Sequence, residues 1–168
     1  MNDETFDLIY VDPPWRYSFS KSNSRKIENQ YPTMALQEIC SLPIPAKPNS
    51  VLLLWGTAPK VPEALSVMSA WGFEYKTCAV WDKQMIGMGY YFRGQHELLF
   101  VGTKGKPVIP APNSRKSSVL SFRRGRHSAK PVEMYDIIDG MYPDYQKLEM
   151  FARNPEPRTN WSFWGNEV

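Results

Sequence analysis

The residues best placed to do chemistry are the tetrapeptide Asp12-Pro13-Pro14-Trp15, which directly follows the apolar run Phe6–Val11. A carboxylate and a backbone carbonyl held side by side can accept the two N–H groups of an amine and so fix its orientation. The two prolines stiffen the backbone that presents the carbonyl, and Trp15 is expected to offer a flat face to a base. The alternative is a turn that ends a strand, with Trp15 in the core.

The elements that must position this motif alternate between strands and helices. Continuous apolar runs predict strands at Phe6–Val11, Ser50–Trp55, Phe73–Trp81, Glu97–Val101, Val119–Phe122, Leu148–Ala152 and Trp161–Trp164. Helices are predicted after an N-cap at Thr33, over Pro59–Trp71 with a stop at Gly72, and from Pro131 with Met134, Ile138 and Met141 on one face. This pattern predicts a three-layer α/β sheet in one domain, 1–168. Ligands of such sheets bind beyond the carboxyl ends of the strands.

Three segments between these elements are predicted to be loops. Arg16–Pro32 is polar and long enough to be a mobile functional loop, and Gln84–Gly94 contains three glycines. Lys104–Lys130 holds eight basic residues and no acid, whereas the rest of the chain carries 12 basic and 17 acidic residues. This basic segment is interpreted as a strip that contacts phosphates, with Phe122 and Tyr135 available to stack on bases. The alternative is a solvated loop.

Composition excludes several classes of protein. No apolar run approaches the roughly 18 residues of a membrane span, and the acidic start of the chain does not fit a signal peptide. Cys40 and Cys78 lie far apart, without neighbours at metal spacing, which argues against zinc, any other metal and a disulfide framework. A cytoplasmic protein without a membrane partner is expected. A nicotinamide-dependent dehydrogenase is excluded because no GxGxxG follows the first strand.

Several motifs in order make the chain resemble the MT-A (seventy-kilodalton subunit) family of adenine-N6 methyltransferases, in its bacterial or phage form. They are Val11-Asp-Pro-Pro-Trp15, Tyr31-Pro-Thr-Met34, the LLLW of 52–55, Trp71-Gly-Phe73, Trp81-Asp-Lys83, His96-Glu97, Val101-Gly-Thr-Lys-Gly105, the segment from Ser128 to Tyr135, the segment from Lys147 to Arg153, Asn160-Trp161 and Gly165-Asn-Glu167.

The resemblance implies a Rossmann-like methyltransferase fold in which the catalytic motif precedes the cofactor motifs, the permuted order. It implies S-adenosylmethionine as cofactor and assigns three groups of residues. The catalytic residues would be Asp12, Pro13, Pro14 and Trp15. The cofactor would contact Asp12, Pro13, Lys130, Glu149, Arg153, Asn166 and Glu167. The resemblance places Tyr31 and His96 near the substrate base, with an ordinary hydrogen-bonded strand histidine as the alternative for His96. Arg123, Arg124 and Arg126 are expected to contact substrate because they belong to the basic segment.

The leading hypothesis is methyl transfer to the N6 amine of adenine in nucleic acid, with DNA favoured over RNA because compact relatives are common in bacteria and phages. The alternative is a catalytically silent nucleic-acid-binding subunit. The intact Asp12 favours activity, and the short segment before the first strand favours the silent subunit. A homo- or hetero-oligomeric partner is compatible with either hypothesis.

Overall fold

A computed structural model describes residues 4–17, 32–125, 129–153 and 155–165. The strands are β1 (Phe6–Val11), β2 (Ala46–Gly56), β3 (Glu74–Asp82), β4 (His96–Lys104), β5 (Val119–Ser121), β6 (Lys147–Met150) and β7 (Trp161–Trp164). The helices are α1 (Leu36–Cys40), α2 (Val61–Ala70) and α3 (Glu133–Met141). Each strand and helix expected from the apolar patterns is therefore present, with shifts at the boundaries.

The seven strands form one sheet in the order β5-β3-β4-β2-β1-β6-β7. β4 runs antiparallel to both of its neighbours, and the other pairs are parallel. The carboxyl ends of six strands and the amino end of β4 consequently meet at the same edge. This edge is where residues 12, 83, 97 and 149 are brought together.

Alternation along the strands gives the sheet two apolar faces. Ile9 and Val11 of β1 face one core, which α1 and α2 cover. Leu8 and Tyr10 face the other core, which α3 covers through Met134 and Ile138. Successive side chains of a strand point to opposite faces of the sheet. A strand that is apolar on both faces therefore needs packed elements on each side of the sheet. The three-layer α/β prediction is confirmed.

Two boundaries differ from the sequence prediction for physical reasons. The residue that caps α1 is Ala35, whose backbone N–H donates to the Glu38 side chain, and not Thr33. β2 begins at Ala46 and contains Pro48, although the apolar run predicted a strand that starts only at Ser50. Pairing with β1 shifts from Phe6–Ala46 to Leu8–Val51. Pro48 lies in this irregular stretch, where its missing N–H removes no ladder hydrogen bond to β1.

The basic segment 104–130 is not simply a loop. Lys104 ends β4, and β5 pairs with β3 at one border of the sheet. Phe122 packs against the core, and its carbonyl accepts the indole N–H of Trp81 at 2.9 Å. Phe122 is partly buried and packs against one face of the sheet, and its stacking on a base stays a prediction.

Candidate active site

Asp12 stands at the carboxyl end of β1 and forms an ion pair with a lysine from a distant part of the chain. Lys130 Nζ lies 3.0 Å from Asp12 Oδ2 and 2.7 Å from Glu97 Oε2. A second lysine, Lys83 at the end of β3, lies 3.4 Å from the other Glu97 oxygen. The Asp12, Lys130 and Glu97 side chains are 28%, 17% and 15% exposed. The four groups form a chain of alternating charge across the sheet edge.

The indole ring of Trp55 contacts the Lys130 ammonium. The ammonium lies 5.4 Å from the ring centroid of Trp55 on β2. The Trp55 indole N–H donates to the Tyr10 hydroxyl at 2.8 Å, which fixes the ring. Burial raises the pKa of that Tyr10 hydroxyl well above its usual value, so it stays protonated. A cation over an indole face is attracted by the ring quadrupole, and Trp55 therefore helps to hold Lys130 between the two carboxylates.

The ion pairs set the ionisation of the site. The pKa of Asp12 is raised, mainly by burial and also by the charge of Glu97, while the Lys130 ammonium opposes the rise. Lys130 has a raised pKa because the attraction of the two carboxylates outweighs its burial. The pKa of Glu97 is lowered, because Lys130 and Lys83 outweigh its burial. Asp12 is thus a more basic carboxylate than usual, next to a cation that stays charged.

The tetrapeptide loop is anchored by backbone hydrogen bonds. The Trp15 N–H donates to the Pro13 carbonyl at 2.8 Å, and the Met34 N–H donates to the Pro14 carbonyl at 2.9 Å. Each carbonyl keeps a second lone pair, so either can still accept an amine N–H. The loop holds these oxygens in place beside Asp12.

Trp15 does not present an open face. It is 5% exposed within the core, and its indole N–H donates to the Trp55 carbonyl at 3.0 Å. The prediction of a stacking surface on Trp15 is wrong in this conformation, and the alternative of a core tryptophan below the turn is correct. An aromatic residue after two prolines is compatible with either outcome, and only packing decides between them.

Glu149, one of the residues assigned to the cofactor, lies on β6, the strand next to β1. Glu149 pairs in register with Tyr10, and its Oε2 accepts the Tyr135 hydroxyl at 2.7 Å. The pKa of Glu149 is raised, mainly by burial and also by Asp12, while the Tyr135 hydrogen bond lowers it. Tyr135 therefore orients Glu149, and the stacking of Tyr135 on a base stays a prediction. Its ring packs at 5.1 Å from that of Trp161.

The turn after β6 brings the backbone of two strands close together. Phe151 has a φ of 61°, which is unusual for a residue with a side chain. A Cβ on Gly165 would lie 2.7 Å from the Ala152 amide nitrogen. Arg153 is exposed beyond this turn, and its charge lowers the pKa of Asp12. Asn166 and Glu167 lie outside the described residues.

We expect Gly165→Ala to destabilise the fold by about 1–3 kcal/mol, because the new methyl group must push apart backbone atoms that cannot move independently. Gly140 on α3 is the matched control, because among the described residues no atom beyond its chain neighbours and its own helix backbone lies within 4 Å of a Cβ built there. Gly140→Ala should be neutral or stabilise by up to about 1 kcal/mol. Urea unfolding followed by circular dichroism compares the two. Equal stability of both variants would contradict the close contact of β6 and β7.

The residues predicted to contact substrate are only partly brought to this edge. His96 is exposed at the start of β4, opposite Asp82. Arg123 and Arg124 are exposed just after β5, where the Arg124 N–H donates to the Lys83 carbonyl at 3.1 Å. Tyr31, Arg126 and most of the predicted Arg16–Pro32 loop lie outside the described residues.

Sequence reasoning assigned no role to Glu97, Lys83 or Tyr17. Glu97 is the one acid in the apolar run ELLFV, which is the signal that could have indicated a buried charge with a partner. Tyr17 shares a 2.9 Å hydrogen bond with Thr57, and burial raises its pKa to about 12. Its neighbour Lys60 lies 5.1 Å from its ring centroid.

Other kinds of site are not found in the part of the chain that is described. Those residues contain no group of three or more His, Cys, Asp or Glu side chains that could hold a metal ion. Cys40 and Cys78 are free thiols. No helix among the same residues has the length and apolar character needed to cross a membrane.

In open α/β sheets, ligands bind beyond the carboxyl ends of the strands, which is where Asp12 and Glu149 lie. The family model MT-A70 matches residues 6–167, nearly the whole chain. The chain therefore belongs to the MT-A70 family of methyltransferases, whose fold is Rossmann-like and whose members are generally dependent on S-adenosylmethionine.

Curated relatives agree with this family. The type II methyltransferase M.MunI of Mycoplasma sp is 36% identical over 97% of this chain and 78% of its own length. The human N(6)-adenine-specific methyltransferase METTL4 is 30% identical over 98% of the chain and 38% of its own length. The Arabidopsis thaliana N(6)-adenosine-methyltransferase MT-A70-like is 28% identical, and the chain spans 24% of it. The bacterial relative is thus similar over most of both chains.

Proposed function

We propose that the chain transfers a methyl group from S-adenosylmethionine to the N6 amine of adenine in nucleic acid, with DNA as the substrate. The observation that carries the proposal is Asp12, held beside Lys130 at the carboxyl edge and followed by fixed proline carbonyls. Relatives named for adenine-N6 methylation support the reaction, and similarity to a bacterial type II methyltransferase favours DNA.

The residues of the β1–β6 edge fit the cofactor. A sulfonium is cationic, and Asp12 and Glu149 supply two carboxylates on neighbouring strand ends. Glu149 is only partly covered and is oriented by Tyr135, as a carboxylate that accepts ribose hydroxyls should be. Arg153 supplies a cation for the amino-acid carboxylate beyond the same turn. When bound, S-adenosylmethionine would supply an electrophilic methyl group next to Asp12.

Asp12 and the proline carbonyls would prepare the amine. Lys130 engages Asp12 Oδ2, so Oδ1 is the oxygen we assign to one N–H of the amine. The Pro13 or Pro14 carbonyl would accept the second N–H. Two acceptors at fixed positions favour a tetrahedral nitrogen with an available lone pair. The raised pKa of Asp12 makes it a suitable acceptor for the proton that the nitrogen loses after transfer.

The direct test is transfer of a labelled methyl group from S-adenosylmethionine to DNA and RNA oligonucleotides of matched sequence. N6-methyladenine released by nuclease digestion and identified by mass spectrometry would support the reaction. Label in RNA with none in DNA would overturn the assignment of DNA. Cofactor binding without transfer to either polymer, on substrates covering all short adenine contexts, would favour the silent subunit.

Replacing Glu149 by alanine is expected to weaken binding of S-adenosylhomocysteine by at least tenfold, because a half-buried carboxylate aimed at polar hydroxyls is lost. Isothermal calorimetry measures the change. Glu133→Ala, at the exposed start of α3, is the matched control and should bind normally. Normal binding by both variants would exclude Glu149 from the cofactor site.

A further inference from the structure

The loop of residues 85–93, which joins β3 and β4, exposes an unusual amount of apolar surface. Tyr91 is 99% exposed, Phe92 92%, Met88 84%, Tyr90 71% and Ile86 61%. Exposed apolar side chains grouped within one short segment often mark an interaction site. Nothing in the Asp12 site accounts for these side chains.

The 85–93 loop is a folded element and not a loose connection. The Gly87 N–H donates to the Gly94 carbonyl at 2.7 Å, and the Gly94 N–H donates to the Met88 carbonyl at 3.1 Å. The Arg93 side chain donates to the Gly87 carbonyl at 3.0 Å. A Cβ on Gly89 would collide with the Phe92 carbonyl, so only glycine permits this tight tip. The aromatic rings are therefore displayed at the end of a hydrogen-bonded stem.

The stem of the loop begins in the ion-pair chain of the active site. The Lys83 N–H donates to the Gln95 carbonyl at 2.9 Å, and Lys83 Nζ pairs with Glu97. Glu97 is joined through Lys130 to Asp12. Tyr91 is six residues before Glu97, so an extended chain places its backbone within roughly 20 Å of that carboxylate. This upper limit keeps the tip of the loop within reach of the Asp12 edge.

Three arginines lie in the loop or close to its stem. Arg93 lies in the loop itself, and the segment with Arg123 and Arg124 is fastened to its stem. The Arg124 N–H donates to the Lys83 carbonyl, and the Gln84 side chain donates to the Ser121 hydroxyl at 3.0 Å. Exposed aromatic rings next to arginines are the combination that binds single-stranded nucleic acid, because bases stack on the rings and phosphates pair with the cations.

We propose that the 85–93 loop is a stacking platform for the bases that flank the target adenine, and that Arg123 and Arg124 hold the adjacent phosphates. The identity of the target base rests on the proposed function. A base must leave its stack before an enzyme can act on it. Extrusion of the base costs stacking free energy. The rings of Tyr91 and Phe92 stack on the neighbouring bases and so offset part of that cost.

The test is binding of a short single-stranded oligodeoxynucleotide with one central adenine, in the presence of S-adenosylhomocysteine, at several salt concentrations. The double variant Tyr91→Ala/Phe92→Ala should bind at least tenfold more weakly, with an unchanged log–log salt slope, because stacking is lost and phosphate contacts remain. Arg123→Ala/Arg124→Ala should instead make the slope shallower by about 1.4. Tyr91→Trp should retain affinity.

Val108→Ala/Ile109→Ala is the matched control, since these two apolar side chains are similarly exposed in another loop, and it should bind normally. Normal affinity of the Tyr91/Phe92 double variant would overturn the proposal. So would loss of self-association in sedimentation with unchanged DNA affinity, which would assign the loop to a second copy of the chain. These are binding measurements, so the absence of methyl transfer would refute the proposed function without affecting them.

Discussion

Replacing Asp12 by alanine is expected to reduce methyl transfer by on the order of 100-fold or more, because the attacking amine loses a preorganised acceptor. The Lys130–Glu97 pair remains in the variant, so the site should stay folded. Asp12→Asn should also be severely impaired, since an amide oxygen carries no charge. Single-turnover transfer at saturating oligonucleotide and cofactor measures the chemical step.

The matched control is Asp144→Asn, an exposed carboxylate just before β6 at the opposite edge of the sheet. It should retain normal turnover. Thermal unfolding of the Asp12 variants separates a chemical defect from a folding defect. Near-normal turnover by Asp12→Ala would remove Asp12 from the catalytic assignment.

Replacing Lys130 by methionine is expected to cost stability and activity together. Two carboxylates would then face each other at low exposure without the cation between them. Breaking such a pair from one side costs about 3–5 kcal/mol when it is fully buried, and the partial exposure here reduces the expected loss to about 2 kcal/mol. Urea unfolding measures this loss. Lys76→Met, at an exposed ion pair on β3, is the control and should change little.

The pH profile of Lys130→Met tests the electrostatics separately. Lys130 lowers the pKa of Asp12 and Glu97 raises it, so removing the lysine raises the pKa of Asp12 further. The acid limb of kcat/KM should therefore move to higher pH. Adding Glu97→Gln removes the like charge, and the limb should move back toward lower pH with part of the stability restored. An unmoved acid limb in both variants would show that Asp12 does not control it.

The sequence by itself determined the elements and the motif. Apolar runs of four to six residues, such as Phe6–Val11 and Trp161–Trp164, predicted strands correctly because such runs are buried on both faces of a sheet. Gly72 follows the end of α2, as expected from the sequence. Its φ of 79° is the left-handed conformation in which helices commonly terminate. The ordered motifs also identified the MT-A70 family, which the family model confirmed.

The sequence indicated those site residues whose role follows from their neighbours along the chain. Asp12 was recognised because it directly follows a strand. The roles of Glu149 and Arg153 came from the resemblance and stay predictions. Glu97 and Lys83 were quoted within motifs but received no role, because no local pattern says that an acid on one strand will face a lysine from another.

The tertiary structure alone decided the partners of Asp12 and the environment of Trp15. Lys130 belongs to the basic segment in the sequence, yet it forms ion pairs with Asp12 and Glu97. These two acids are 118 and 33 residues away from it along the chain, respectively. Such contacts depend on strand order and on the antiparallel insertion of β4, which brings its amino end to the carboxyl edge. Trp15 is likewise buried by packing on the core. Residue types limit which contacts are favourable, but the free energy of packing the whole sheet selects which of them form.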